Sequence, residues 1–247
     1  MTALTLALLI APQSIAPAQE PEVKKPGVIV SELLGRYNSA VTIKGGIKFT
    51  QSYKGASVVT ETTLQFEKPS KLFAKQVRTG EVPWLVTSDG NLFSYSAPPL
   101  ADVQRTKRLI EPVDQLGKLL TIRDIYGAGL SRILDRSAPL EIAIGRIEDL
   151  KLIRNQWASM ELLEGGDGKG NRLIVGKWRE DAGSTPAGNY EMVITPAGDL
   201  IRYTVKEMRG FTGPDGKPMA PDLLVSDWQV ALQIDATVDP ALFTVVR

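Results

Sequence analysis

The feature that most constrains this chain is a period-two alternation across residues 64–95, interrupted by a proline corner and an Asp-Gly turn. Leu64 and Phe66 fall on one face, Gln65 and Glu67 on the other. Lys68-Pro69-Ser70 turns the chain, and Lys71-Leu72-Phe73 opens a second strand. A third strand, Leu85-Val86-Thr87, runs into Ser88-Asp89-Gly90 and returns through Phe93 and Tyr95. Asp-Gly between alternating apolar stretches is a strong hairpin signal, because the glycine supplies a backbone conformation that other residues resist. Alternation of this kind builds an antiparallel sheet with one dry face and one wet face.

The same pattern extends in both directions. Ile47, Phe49 and Gln51 begin a strand, and 58–67 is the clearest one. Further strands are expected near 71–78, 83–88, 91–96 and 102–110. After Asn155 the alternation resumes near 156–164, 172–180, 189–195, 200–209 and 223–234, with a short closing strand at 243–246. In the last long strand Leu224, Trp228, Val230, Leu232 and Ile234 share a face, with Asp227, Gln229, Gln233 and Asp235 opposite. The period changes in two places. Ser31 is placed as the cap of a helix reaching Val41, with Leu33, Leu34 and Tyr37 at helical spacing, and Gly45-Gly46 ends that pattern. In 112–134, Leu119, Ile122, Tyr126, Leu130 and Ile133 form a helical stripe, Pro112 suits its first turn, and Gly127 and Gly129 allow a hinge. Residues 139–146 fit a short helix or a strand. The expected architecture is mainly β with α: an unclosed antiparallel half-barrel of about eleven strands. A helical insert at about 112–147 would sit as a lid in its mouth.

Composition removes much chemistry. The 247 residues include no cysteine and no histidine, and the formal net charge is +1. Disulfides, thiol and histidine nucleophiles and the usual zinc ligand sets are therefore excluded. A near-neutral chain has no electrostatic reason to seek nucleic acid. The glycine-rich 166–171 lacks the Ser or Thr and the following helix of a phosphate loop. It also fails as a calcium loop, with Lys169 and Trp178 at ligand positions. No pair of opposed carboxylates stands out for glycan hydrolysis. Neither cofactor nor catalysis is expected. At the N-terminus, the apolar run 3–11 is too short to span a bilayer, and Ala16-Pro17-Ala18 follows it. The two together predict a signal peptide over 1–18, a polar linker over 19–27 and a folded domain over 28–247.

The Lys68-Pro69-Ser70-Lys71-Leu72-Phe73 corner and the hairpin 85–95 resemble the LolA-like family of periplasmic outer-membrane lipoprotein carriers. The order of a leading helix, corner, hairpin, mid-chain helical insert and a final Asp239-Pro240-Ala241-Leu242-Phe243 is similar as well. The resemblance implies a half-barrel whose cavity shields the acyl chains of lipids or lipoproteins, passed from an inner-membrane donor to an outer-membrane acceptor. It implies a periplasmic or secreted monomer. The family carries an arginine before the corner proline, which latches the lid; Lys68 stands there, without the planar fork of donors. The inward apolar set then becomes the expected ligand-binding set: Phe66, Phe73, Tyr95, Leu119, Ile122, Met192, Tyr203, Trp228 and Leu232. A packed core is the alternative for the same residues, and a sensor or scaffold module that binds protein is the alternative function.

Overall fold

The computed structural model describes residues 25–78, 80, 83–97, 107–112, 138–144, 154–163, 169–179, 183–210, 212, 216–218 and 220–245. The signal-peptide expectation and most of the 112–134 stripe lie outside them.

Eleven strands form a single antiparallel sheet. In chain order they are β1 (Thr42–Tyr53), β2 (Ala56–Glu67), β3 (Lys71–Arg78), β4 (Trp84–Asp89), β5 (Leu92–Ala97), β6 (Lys107–Pro112), β7 (Glu161–Leu163), β8 (Arg172–Trp178), β9 (Gly188–Ile194), β10 (Leu200–Arg209) and β11 (Asp222–Ile234). The spatial order is β6-β5-β4-β3-β2-β1-β11-β10-β9-β8-β7. Each half is a meander of neighbouring strands. The halves meet where β1 pairs with β11, from Ile43↔Ile234 to Tyr53↔Leu224. β6 and β7 are the two ends of the sheet, so it does not close on itself.

The dry face carries Ile43, Ile47 and Phe49 of β1, Leu64 and Phe66 of β2, Leu72 of β3, Ile174 of β8, Tyr190, Met192 and Ile194 of β9, Tyr203 of β10, and Trp228 and Val230 of β11. These residues belong to one cluster with the helices α1 (Pro26–Ser39) and α2 (Ala138–Ile144). Both arms of the sheet therefore curl over the same two helices, and this face is the concave one.

α1 begins at Pro26, whose fixed φ suits a first helical turn and whose missing N–H is not needed there. Ile29, Val30, Leu33, Leu34 and Tyr37 make its apolar stripe, and all are buried. The expected linker thus runs two residues too far, and Ser31 is no cap. Its hydroxyl donates back to the Gly27 carbonyl at 2.8 Å in mid-helix. Gly45-Gly46 does not break the chain. β1 runs straight through both, and a Cβ at Gly45 (φ 147°) would lie 2.0 Å from the Ala231 carbonyl oxygen of β11. Glycine here permits close strand approach, which the sequence reading took for a stop.

The corner and the hairpin form as expected. β2 and β3 flank Lys68-Pro69, a cis peptide. The Asp89 carboxylate accepts from the amides of Asn91 and Leu92 at 2.7 and 2.8 Å, and Gly90 takes φ 98°. Pro112 is the last residue of β6. Of the two readings of 139–146 the helix holds, as α2. The closing strand at 243–246 is absent from the described residues: Pro240–Phe243 is a 3-10 turn. Asp239 caps it, accepting from the Ala241 amide at 3.0 Å, and its own amide donates to the Gln65 side chain at 2.8 Å. This turn packs on the convex side of β3 and β4 and buries Phe243.

Candidate binding site on the concave face

The register assembles a row of rings. Phe49 pairs with Trp228, and Trp228 pairs with Tyr203, so side chains on three adjacent strands stand side by side. Phe49 stacks on Trp228 with centroids 4.8 Å apart and planes at 17°. Tyr203 follows at 5.5 Å, Tyr190 at 6.2 Å from Tyr203, and Trp157 at 6.0 Å from Tyr190. Offset and tilted rings at these spacings attract beyond the area they bury. The polar atoms of the row are spent within it or beside it. The Trp157 indole N–H donates to the Tyr203 hydroxyl at 3.1 Å, and the Tyr190 hydroxyl donates to the Ser159 carbonyl at 2.7 Å. Gly176 of β8 makes room for this arrangement: a Cβ there would lie 2.8 Å from the Tyr190 ring and 1.9 Å from the Ser159 carbonyl oxygen. Burial pushes the Tyr190 and Tyr203 phenols far above their ordinary range, so both stay neutral at any working pH.

Two helices cover this floor. α1 presents its apolar stripe. α2 is buried over all seven of its residues, Ala138 to Ile144, including Glu141. It touches α1, β1 and β10. A helix apolar on nearly every side belongs inside a core, and α2 lies where the sheet curls around it. Among the described residues the side chains of this floor are buried beneath α1 and α2.

Away from the rings the concave face turns polar. The Gln76 amide donates to the Thr62 hydroxyl at 2.8 Å, and the Gln51 amide donates to the Ser226 hydroxyl at 3.3 Å. Thr60, Thr62, Gln76 and Ser226 are all buried. One oxygen each of Gln76 and Glu207 is buried without a hydrogen-bond partner.

The expected site residues divide. Phe66, Met192, Tyr203 and Trp228 are all under 5% exposed and share the concave interior. Leu232 joins them partly buried at the edge of the same cluster. Phe73 does not: it pairs with Gln65 and Thr87, so the pleat sends it to the convex side, beneath the C-terminal turn. Tyr95 pairs with Val86 in β5. Leu119 and Ile122 fall outside the described residues. Phe49, Tyr190 and Trp157 were missed. Parity was available for the first two, since they alternate with Ile47 and Met192, whereas Trp157 reaches the row from outside any long strand.

Lys68, the expected latch residue, reaches the C-terminal end of α1. Its ammonium donates to the carbonyls of Tyr37 and Asn38, the former at 2.8 Å. These are terminal carbonyls that a helix leaves unpaired, and a cation there also suits the negative end of the helix dipole. Point-like geometry suffices for two carbonyls on adjacent residues. Burial lowers the Lys68 pKa, and the Asp235 carboxylate acts in the opposite direction. Arg36 adds an ion pair to Asp199 at 3.0 Å, tying the same end of α1 to the β9–β10 turn. Among the described residues no cluster of acidic side chains could hold a metal ion.

No family model matches the chain, and no curated protein matches it. Solved structures of MucB and of LolA superfamily proteins do match across most of its length. The MucA/MucB complex of Pseudomonas aeruginosa is similar at 12% identity and a TM-score of 0.40, over 90% of this chain and 61% of that chain. A LolA superfamily protein from Nitrosomonas europaea is similar at 10% identity and a TM-score of 0.31, over 90% of this chain and 98% of its own. A DUF1329 family protein from Desulfovibrio piger is similar at 12% identity and a TM-score of 0.31, over 90% and 98%. The chain spans about three fifths of the MucB chain that it matches.

Proposed function

We propose that this protein is a non-catalytic carrier, exported to the periplasm or beyond, that shields acyl chains of a lipid or lipoprotein against the concave face of its sheet. One observation carries the reading: the apolar floor is covered by a seven-residue helix, α2, that is apolar on almost every side. Such a helix is a stand-in for an acyl chain. Exchanging one apolar occupant for another keeps the floor dry, so loading would not expose it to water. Each methylene buried contributes about 0.8 kcal/mol, and that gain offsets the cost of moving α2. A resident plug also lowers apparent affinity by the fraction of molecules in which it has moved aside.

The test is displacement of a fluorescent fatty-acyl probe. The wild type is expected to bind it. Trp228→Phe keeps binding, and Trp228→Asp abolishes it, because an unpaired charge on the floor is strongly unfavourable. Ile142→Ala weakens the plug's own hold and should tighten probe binding; circular dichroism controls for folding. Export is tested separately, by N-terminal sequencing that should read from near Gln19.

The burial of the floor beneath α1 and α2 favours a second reading, a protein-binding sensor or scaffold module. If neither the wild type nor Ile142→Ala takes up the probe, the carrier reading fails and the module takes its place.

A further inference from the structure

We propose that the open groove beside the first turn of α1 is the mouth of this site, and that it admits a single-chain fatty acid with the carboxylate held between Lys25 and Arg154. This rests on the carrier reading. The groove is wide open to solvent and offers about 760 Å³, within the ~300–1,000 Å³ usual for small-molecule clefts. Its apolar wall is Pro26, Val28 and Met160. Val28 is 45% exposed, on the side of α1 away from the buried Ile29 and Val30. Met160 immediately precedes β7, the free end of the sheet, and packs against the main core from the outside. Met160 thus links the groove wall to the apolar core, beside the strand that ends the sheet among the described residues.

The charges at the rim set the head group. Lys25 and Arg154 both border the groove, and neither side chain makes a hydrogen bond or ion pair among the described residues. The first turn of α1 carries no acidic residue to offset them. Glu32 is the acidic side chain in the lining. Two cations on the described rim suit the carboxylate of one fatty acid. A wall of three apolar side chains accommodates one chain at a time. The helix end here is free to serve as a mouth because α1 is fastened at its other end, by Lys68 and Arg36.

The experiment measures laurate binding to the full chain by calorimetry, with 1-dodecanol as the neutral control and Lys25→Glu/Arg154→Glu as the variant. Both substituted residues are exposed, so folding should be unaffected. Wild type should bind laurate more tightly than dodecanol, and the double variant should lose that preference, with laurate affinity falling roughly tenfold. Met160→Glu should weaken both ligands alike. If the double variant binds laurate as the wild type does while Ile142→Ala still tightens binding, the groove is not the mouth, and the carrier reading stands without it. If phosphatidylglycerol vesicles bind in a way that depends on the two cations and laurate does not, the fatty-acid assignment is overturned. If wild type binds no acyl ligand, both readings fall.

Discussion

The two ends of α1 are built on opposite plans. At the C-terminal end the Lys68 ammonium holds two carbonyls, Arg36 pairs with Asp199, and the Val41 amide just beyond donates to the Asp235 carboxylate at 2.8 Å. At the N-terminal end no side chain caps the helix, and an exposed valine borders an open groove. The same stripe of Ile29, Val30, Leu33, Leu34 and Tyr37 runs along the whole helix, so burial does not distinguish the ends. The polar fastenings do. Apolar packing decides where a helix lies. Directional bonds decide which end holds when the helix is disturbed.

Removing the strongest fastening should show this most clearly. Lys68→Ala strands two terminal carbonyls that a charged donor had satisfied, and should cost about 3 kcal/mol in chemical denaturation. Lys68→Arg should recover most of it. Amide exchange in α1 would then quicken from the C-terminal end, and exchange that quickens evenly would erase the contrast.

Alkali attacks the same end. Burial, with the Asp199 carboxylate adding to it, pushes the Tyr37 phenol up to about 12. The folded state thus prefers the neutral phenol, and its contribution is complete below pH 10. It is lost as pH rises from 10 through 12, by roughly 2–3 kcal/mol. The Tyr37 hydroxyl is buried beside the Leu200 backbone, and Tyr37→Phe, which cannot ionise, should flatten its share of the alkaline loss. Urea midpoints of both proteins at pH 9 and pH 11.5 decide it. An equal alkaline loss in the two would show that Tyr37 is not the group responsible.

Smaller effects fill in the scale. Arg36→Ala removes a half-exposed ion pair and should cost under about 1 kcal/mol, less in high salt. Val28→Ser, at the open end, should stay within about 0.5 kcal/mol. A large destabilisation by Val28→Ser would mean that the N-terminal end is anchored after all.

The sheet was legible because alternation and turn chemistry agree in it. β2 and β11 show one apolar face by parity alone, and Asp89-Gly90 fixes the register of β4 against β5. What escaped was set by tertiary contact. Pro26 stands in a polar, proline-rich stretch that locally resembles a linker, and only the core beneath Ile29 and Val30 makes it a helix start. Gly45-Gly46 looks like a break until the approach of Ala231 is known. Phe73 was named as part of the corner that carries the resemblance, although its place next to Leu72 puts it on the opposite face of the pleat. Glu141 signals solvent in any sequence reading, yet it lies within a fully buried helix. Of the candidate site, parity gave the floor. The cover over it, and the hydrogen bonds of Lys68 to the end of α1, depend on contacts between residues far apart in the chain.

The ring row gives the molecule a built-in optical signature. Aromatic transitions coupled across 4.8–6.2 Å, in a fixed asymmetric arrangement, produce near-ultraviolet circular dichroism that depends on mutual angles. Fluorescence from Trp157 and Trp228 reports on the same space. Whatever moves α2, whether an acyl chain, a substitution or a partner, must alter the surroundings of those rings while leaving the strands paired. The protein can therefore be watched without a label: a changed near-ultraviolet spectrum above an unchanged far-ultraviolet one is the reading of an opened interior.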